Sequence, residues 1–179
     1  MTYFDYRMAA EEKARLALKR SGHSGVPVDP TIVAKALGLK VLQMPLDDEL
    51  SGMAFIEGKD RLIIVNANQH LHRRRFTVAH ELGHHQLGHI SDDVHVDTQV
   101  FHRNARSRTG EDRHEVEANA FAAELLMPRS EVKKYGRVDV LDDSLVGRLA
   151  KDFRVSHSAM AIRIENLNDF LNASQFPVR

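Results

Sequence analysis

Two histidines four positions apart, with a glutamate after the first, make His80-Glu81-Leu82-Gly83-His84 the stretch of this chain best suited to chemistry. On a helix that turns about 100° per residue, His80 and His84 stand one turn apart on a single face, ~6 Å along the axis, so both imidazoles can reach one cation. Glu81 lies about a quarter-turn away. From there its carboxylate can take a proton from water beside the cation instead of binding the cation itself. Helices use this pattern to hold zinc and activate water for hydrolysis. Apolar helices also bury histidines that only find hydrogen-bond partners, so the motif needs a third ligand before it means more.

A hydrolytic zinc normally has three protein ligands and one open position. The run from His114 to Pro128 reads as a second helix, rich in alanine and therefore able to pack closely on the first. On it Glu115 and Asn119 are one turn apart, so a carboxylate ligand would have an amide beside it on the same face to support a ligand ring. Glu117 is about 200° round from Glu115, and with Glu124 it suits a solvated, charged surface. The alternative third ligand of H-E-x-x-H-x-x-G-x-x-H fails on counting: Leu87 and Ile90 stand where glycine and histidine are required, and Gly88 and His89 miss by one. The ligand set reads as two histidines plus a distant glutamate, with His89 a polar residue at the helix end.

The pair FTVAHELGHHQLGH and EVEANAFAAELLMP resembles the ImmA/IrrE family of metallopeptidases, with flanking patterns consistent over most of the chain. The resemblance implies an α+β fold: a zincin-like core with a small antiparallel-containing sheet and an active-site helix, followed by a C-terminal helical segment. It implies that His80, His84 and Glu115 bind Zn2+, that Glu81 is catalytic, and that Asn119 supports a ligand from behind. Asn119 stands where many related enzymes have aspartate. An asparagine accepts an imidazole N–H but adds no negative charge to strengthen the ligand. The family resemblance also implies a cytoplasmic protein whose partner is a protein substrate, a DNA-binding repressor that it cleaves or inactivates.

Composition sets limits around this reading. The 179 residues carry 25 basic and 25 acidic side chains and no cysteine. Balanced charge argues against strong nonspecific nucleic-acid binding, and the missing cysteines remove disulfides, thiolate zinc sites and cysteine nucleophiles. The N-terminal residues lack the basic start and apolar run of a secretory signal, and no stretch is apolar for long enough to span a bilayer. A cytosolic protein without a membrane partner is the expectation.

The elements that must position the motifs follow from pattern and punctuation. The expected helices are Met8 to Arg20, a short one after Asp29-Pro30 ending at Ala36, and the motif helix from an Asn68 cap to His89. Leu39 to Gln43, Gly52 to Ile56 and Arg61 to Val65 read as strands, the last two joined as a hairpin by Glu57-Gly58-Lys59-Asp60. An exposed strand edge can bind a peptide by strand addition, and Ser51 to Ile56 is the preferred edge. Ser91 to Asp112 is polar and without firm periodicity, which suits a lid over the cleft. Arg73-Arg74-Arg75 reads as a solvated helix face. After Arg129 to Tyr135, the segment LAKDFRVSHSAMAIRIENL resembles a helix-turn-helix in which Ser156 caps the second helix. Its second helix is too apolar for a recognition helix and is expected to pack on the core. Residues 1–130 are assigned to the peptidase domain and 131–179 to a helical subdomain packed against it.

The expected activity is metal-assisted peptide hydrolysis with Glu81 as the base, and His114, His102, Tyr3 or Tyr6 as candidate donors to the developing oxyanion. Two other readings compete with it. One is a zinc-stabilised antirepressor or toxin–antitoxin partner that binds without cutting. The other is a DNA-binding regulator using the C-terminal helices, which would show salt-dependent duplex affinity.

Overall fold

The structure, a computed structural model, describes residues 3–90, 95–98, 110–135 and 142–175. Helix α1 (Tyr3–Arg20) starts earlier than its sequence pattern suggests and buries Ala10, Ala14 and Ala17 at near one-turn spacing. Helix α2 (Pro30–Ala36) begins as its punctuation requires: the Asp29 carboxylate accepts the Thr31 backbone N–H at 2.9 Å, and Pro30 occupies the first turn.

Four strands follow: β1 (Leu39–Met44), β2 (Leu50–Glu57), β3 (Asp60–Asn66) and, later in the chain, β4 (His95–Thr98). They form a mixed sheet in the order β1-β3-β2-β4, with β1 parallel to β3 and the other neighbours antiparallel. The β2–β3 hairpin turns through Gly58, whose φ of 61° suits a residue without Cβ. Buried Asn66 ties the β1–β2 loop to the sheet: its Nδ2 donates to the carbonyls of Asp47 and Leu50 at 3.1 and 2.9 Å, and its Oδ1 accepts from Leu46 N at 3.2 Å.

Two sequence expectations change here. Ser51 to Ile56 is no free edge, because β4 pairs with β2 along Leu50 to Ala54. Four residues give too short a run for β4 to be read from alternation. The proposed lid from Ser91 to Asp112 therefore contains a strand and the first residues of a helix, and its remaining residues lie outside the described ones.

Helix α3 (Leu71–Leu87) lies across β2 and β3. The close approach needs Gly52, where a methyl would come within 2.5 Å of Thr77 Cγ2 and 2.7 Å of the Ile64 carbonyl oxygen. Its cap is His70 and not Asn68, the His70 side chain accepting the His72 N–H, while Asn68 lies in a turn with its N–H on Asn66 Oδ1 at 3.0 Å; it ends at Gly88 in the left-handed region. The three arginines at its start are not simply solvated. Arg73 donates to Ser51 Oγ at 2.8 Å, Arg74 to Gln43 Oε1 at 3.0 Å, and Arg75 to the Val28 carbonyl at 2.7 Å.

Helix α4 (Gly110–Leu126) packs on α3, and α1 packs on α4. A short α5 (Arg129–Val132) and a single 3-10 turn precede α6 (Asp143–Phe153) and α7 (His157–Gln175). Asp142 caps α6, and Ser156 Oγ accepts the Ala159 N–H at 3.1 Å as expected. Val146, Leu149, Phe153, Met160 and Ile164 join one hydrophobic cluster with Phe121, Leu125 and the α1 alanines. Buried Arg163 of α7 closes the assembly by donating to Glu124, to Glu11 at 2.9 Å and to the Met127 carbonyl at 3.1 Å. Glu124 is therefore a buried ion-pair member and not a solvated charge. Burial raises its carboxyl above the usual range, with Arg163 opposing the shift. Among the described residues no helix is long and apolar enough to cross a membrane.

Candidate metal centre

The α3–α4 contact sets the geometry of the site. At Gly83 the helices come so close that an added Cβ would sit 3.3 Å from the Ala118 Cα and 3.2 Å from Phe121 Cδ1. His80, Glu81 and His84 are almost fully buried on α3, and Glu115 on α4 keeps about 22% of its side chain exposed.

His80, His84 and Glu115 each offer one ligand atom within 4.8 Å of the others. His80 Nε2 lies 3.2 Å from Glu115 Oε2, His84 Nε2 lies 3.3 Å from Glu115 Oε1, and the two Nε2 atoms are 3.1 Å apart. Burial works to raise the Glu115 carboxyl pKa, but while no ion is bound and the imidazoles carry protons on Nε2, hydrogen bonds and charge from His80 and His84 outweigh it and hold the group far below the usual carboxylate range; a cation would take the place of those protons.

The far nitrogens have partners too. His80 Nδ1 lies 3.1 Å from Asn119 Oδ1, an atom that can only accept, so the His80 proton sits on Nδ1. That leaves its Nε2 with a lone pair facing the other two donors. Two imidazole lone pairs and a carboxylate aimed at one point are the donor set that a divalent cation such as zinc satisfies, so the residues present fit the group.

Of the residues expected at the site from sequence, His80, His84 and Glu115 converge, Asn119 backs His80, and Glu81 is buried on the same helix as the two histidines. The oxyanion candidates are less clearly placed. His114 stacks on His89 with ring centroids 4.1 Å apart, and Tyr6 lies under the Arg113 guanidinium at 3.7 Å; His102 and the Tyr3 side chain lie outside the described residues. Sequence reading also missed Glu117, which is buried against His89 at 2.9 Å and Arg113 at 2.9 Å. Its helical angle relative to Glu115 was right, but the direction it faces is occupied by the α3 C-terminus and not by water.

A groove of about 830 Å³ opens beside the cluster between α3, α4 and α7. Val116, Ala120, Ala123 and Met127 contribute apolar surface and Arg7 and Arg73 contribute charge. Asn119 and Phe76, both neighbours of His80, also line it, on the Nδ1 side of that ring, whereas His80, His84 and Glu115 themselves do not.

A family model described as the IrrE N-terminal-like domain, a peptidase family, matches residues 34–165. The chain is also 32% identical over 119 residues to a protein of Bacillus phage phi105 described as "Uncharacterized immunity region protein 2", a match covering 66% of this chain and 71% of that protein. With the family model spanning well over half of its length, the chain belongs to the IrrE N-terminal-like family of peptidases.

Proposed function

We propose that this protein is a zinc-dependent endopeptidase that cleaves a helix-turn-helix repressor and so relieves repression. The observation that carries the reading is the convergence of His80 Nε2, His84 Nε2 and a Glu115 carboxylate oxygen within 4.8 Å. These three residues would hold the ion, which when bound supplies a Lewis acid that polarises the scissile carbonyl and makes water more acidic. Glu81, adjoining His80, accepts the proton of the attacking water and returns it to the leaving amine. Asn119 fixes the His80 ring so that its lone pair points inward. The groove along α3 and α4 receives the peptide, apolar side chains resting on Ala120 and Ala123.

The choice of a repressor as substrate is supported by the phage relative, whose description places it in an immunity region. On this reading the protein works in the cytoplasm, residues 1–130 form the catalytic unit, and residues 131–179 form a helical subdomain that buttresses it through Arg163.

The test is to incubate the zinc-loaded protein with the helix-turn-helix repressor encoded nearest to its gene and to analyse the products by mass spectrometry. One discrete cut by the parental protein, absent with Glu81→Gln, is expected. A stable complex with no cut would favour sequestration without proteolysis, and cutting by Glu81→Gln at the parental rate would mean that another group is the base.

A further inference from the structure

The two ligand rings are held from behind by different chemistry. His80 is backed by the neutral amide of Asn119. His84 turns its Nδ1 toward His89 Nδ1 at 3.2 Å, and the other nitrogen of His89, Nε2, lies 2.9 Å from Glu117 Oε2. Glu117 Oε1 in turn accepts from Arg113 Nε at 2.9 Å. All three members of this line are enclosed, with side-chain exposures of 0% for His84, 6% for His89 and 9% for Glu117.

The protons in this line have one arrangement that satisfies every contact and leaves His84 able to bind a cation. A carboxylate only accepts, so His89 Nε2 carries a proton and donates it to Glu117. A neutral His89 then has a lone pair on Nδ1, which accepts from His84 Nδ1–H. With its proton on Nδ1, His84 presents the Nε2 lone pair to His80 and Glu115. Ring stacking of His89 on His114 at 4.1 Å, nearly parallel at 10°, holds His89 in the plane this requires.

We propose that His89 and Glu117 are positioning residues of the metal site: a carboxylate–imidazole relay that fixes the tautomer of His84 and strengthens it as a ligand. The inference rests on the metallopeptidase reading above and adds residues that the ligand motif does not include. The amide behind His80 brings no negative charge to its ring, whereas the Glu117 carboxylate acts on His84, one imidazole further out. The same relay accounts for a buried carboxylate and a buried histidine that neither bind the ion nor touch the groove.

The test measures zinc affinity by competition with a chromophoric chelator, using the full-length protein and three variants. His89→Phe keeps a flat ring against His114 but removes both nitrogens. His89→Asn returns an acceptor oxygen near the Nδ1 position, and Glu117→Gln leaves His89 with an amide in place of the anion. Unfolding of each metal-free variant is followed by circular dichroism, so that a general loss of structure is recognised.

His89→Phe is expected to weaken zinc binding about 10–100-fold, the usual effect of removing a hydrogen-bond partner behind a ligand. His89→Asn should recover most of that loss and Glu117→Gln should fall between. In cobalt-loaded protein the visible absorption bands should shift in His89→Phe and return toward the parental positions in His89→Asn. Parental affinity in a folded His89→Phe overturns the relay while leaving the metal site intact, and so does His89→Asn behaving no better than His89→Phe. A parental protein that binds no zinc overturns both the relay and the peptidase reading.

Discussion

Replacing Gly83 by alanine tests whether the α3–α4 approach is what assembles the site. In an ordinary helix interior the change is favourable by about 1 kcal/mol. Here the new methyl would lie 3.2 Å from Phe121 Cδ1 and 3.3 Å from both the Cα and the carbonyl oxygen of Ala118. Two of the three obstacles are backbone, which cannot rotate away, so the helices must separate by a few tenths of an ångström. Overpacking of this kind costs roughly 1–3 kcal/mol, leaving a net destabilisation of about 1 kcal/mol after the propensity gain. For a chain of this size that is a fall in Tm of about 2–4 °C. The functional effect should exceed the thermal one. His80 and His84 ride on α3 and Glu115 on α4, and a metal site tolerates only about ±0.2 Å in its ligand distances, so zinc affinity should fall about tenfold. Gly147→Ala is the matched control. That glycine is in α6 with nothing within 4 Å of an added Cβ, so alanine should raise stability by about 0.5–1 kcal/mol and leave zinc affinity unchanged. Thermal unfolding and chelator competition on the two variants give both readouts. If Gly83→Ala is stabilised as much as Gly147→Ala and binds zinc as the parent does, the close helix contact does not govern the site.

Arg163→Met would remove the buried cation shared by Glu11 and Glu124, which are 4% and 1% exposed, and leave them only the more exposed Arg15 and Arg129; breaking a buried ion pair costs about 3–5 kcal/mol, so Tm should drop by roughly 6–20 °C, and a change below about 2 °C would show that the cluster is not essential. Ala123→Trp fills the groove away from the ion and should raise the KM for a protein substrate at least about tenfold with zinc affinity unchanged; cleavage kinetics identical to the parent would place the substrate elsewhere. Burial lowers the pKa of His85 despite its hydrogen bond with the Leu62 carbonyl, helped by nearby Arg61. The unfolded chain therefore takes up this proton first. Stability should fall as pH drops below about 6.5, the ordinary histidine value, and the fall should be smaller in His85→Gln when urea midpoints are compared across that range.

The ligand helices were legible because their chemistry and their periodicity coincide. His80, Glu81 and His84 share a stretch with buried Val78, Ala79 and Leu82, so the motif and the direction it faces could be read together. Glu115 and Asn119 were legible from spacing and from the family resemblance, since a one-turn separation on an alanine-rich helix leaves few arrangements. What failed was what depends on partners remote in sequence. Glu117 and Glu124 look like solvated charges until His89, Arg113 and Arg163 are known to meet them. Arg73, Arg74 and Arg75 look like an exposed basic run until Ser51, Gln43 and the Val28 carbonyl are found opposite. The β2 edge looked open because its partner β4 is only four residues long and about forty residues away, a pairing to which local alternation is blind. Helix α3 begins later than Asn68, with Asn66 to Asn68 held in a turn by the Asn66 side chain, a local hydrogen bond that composition alone does not rank.

Anomalous diffraction at the zinc edge from zinc-loaded crystals addresses the central claim most directly. The account predicts one peak at about 2.0–2.2 Å from His80 Nε2, His84 Nε2 and a Glu115 carboxylate oxygen together. A fully loaded crystal with its zinc bound elsewhere, and with no peak among these three side chains, would contradict it.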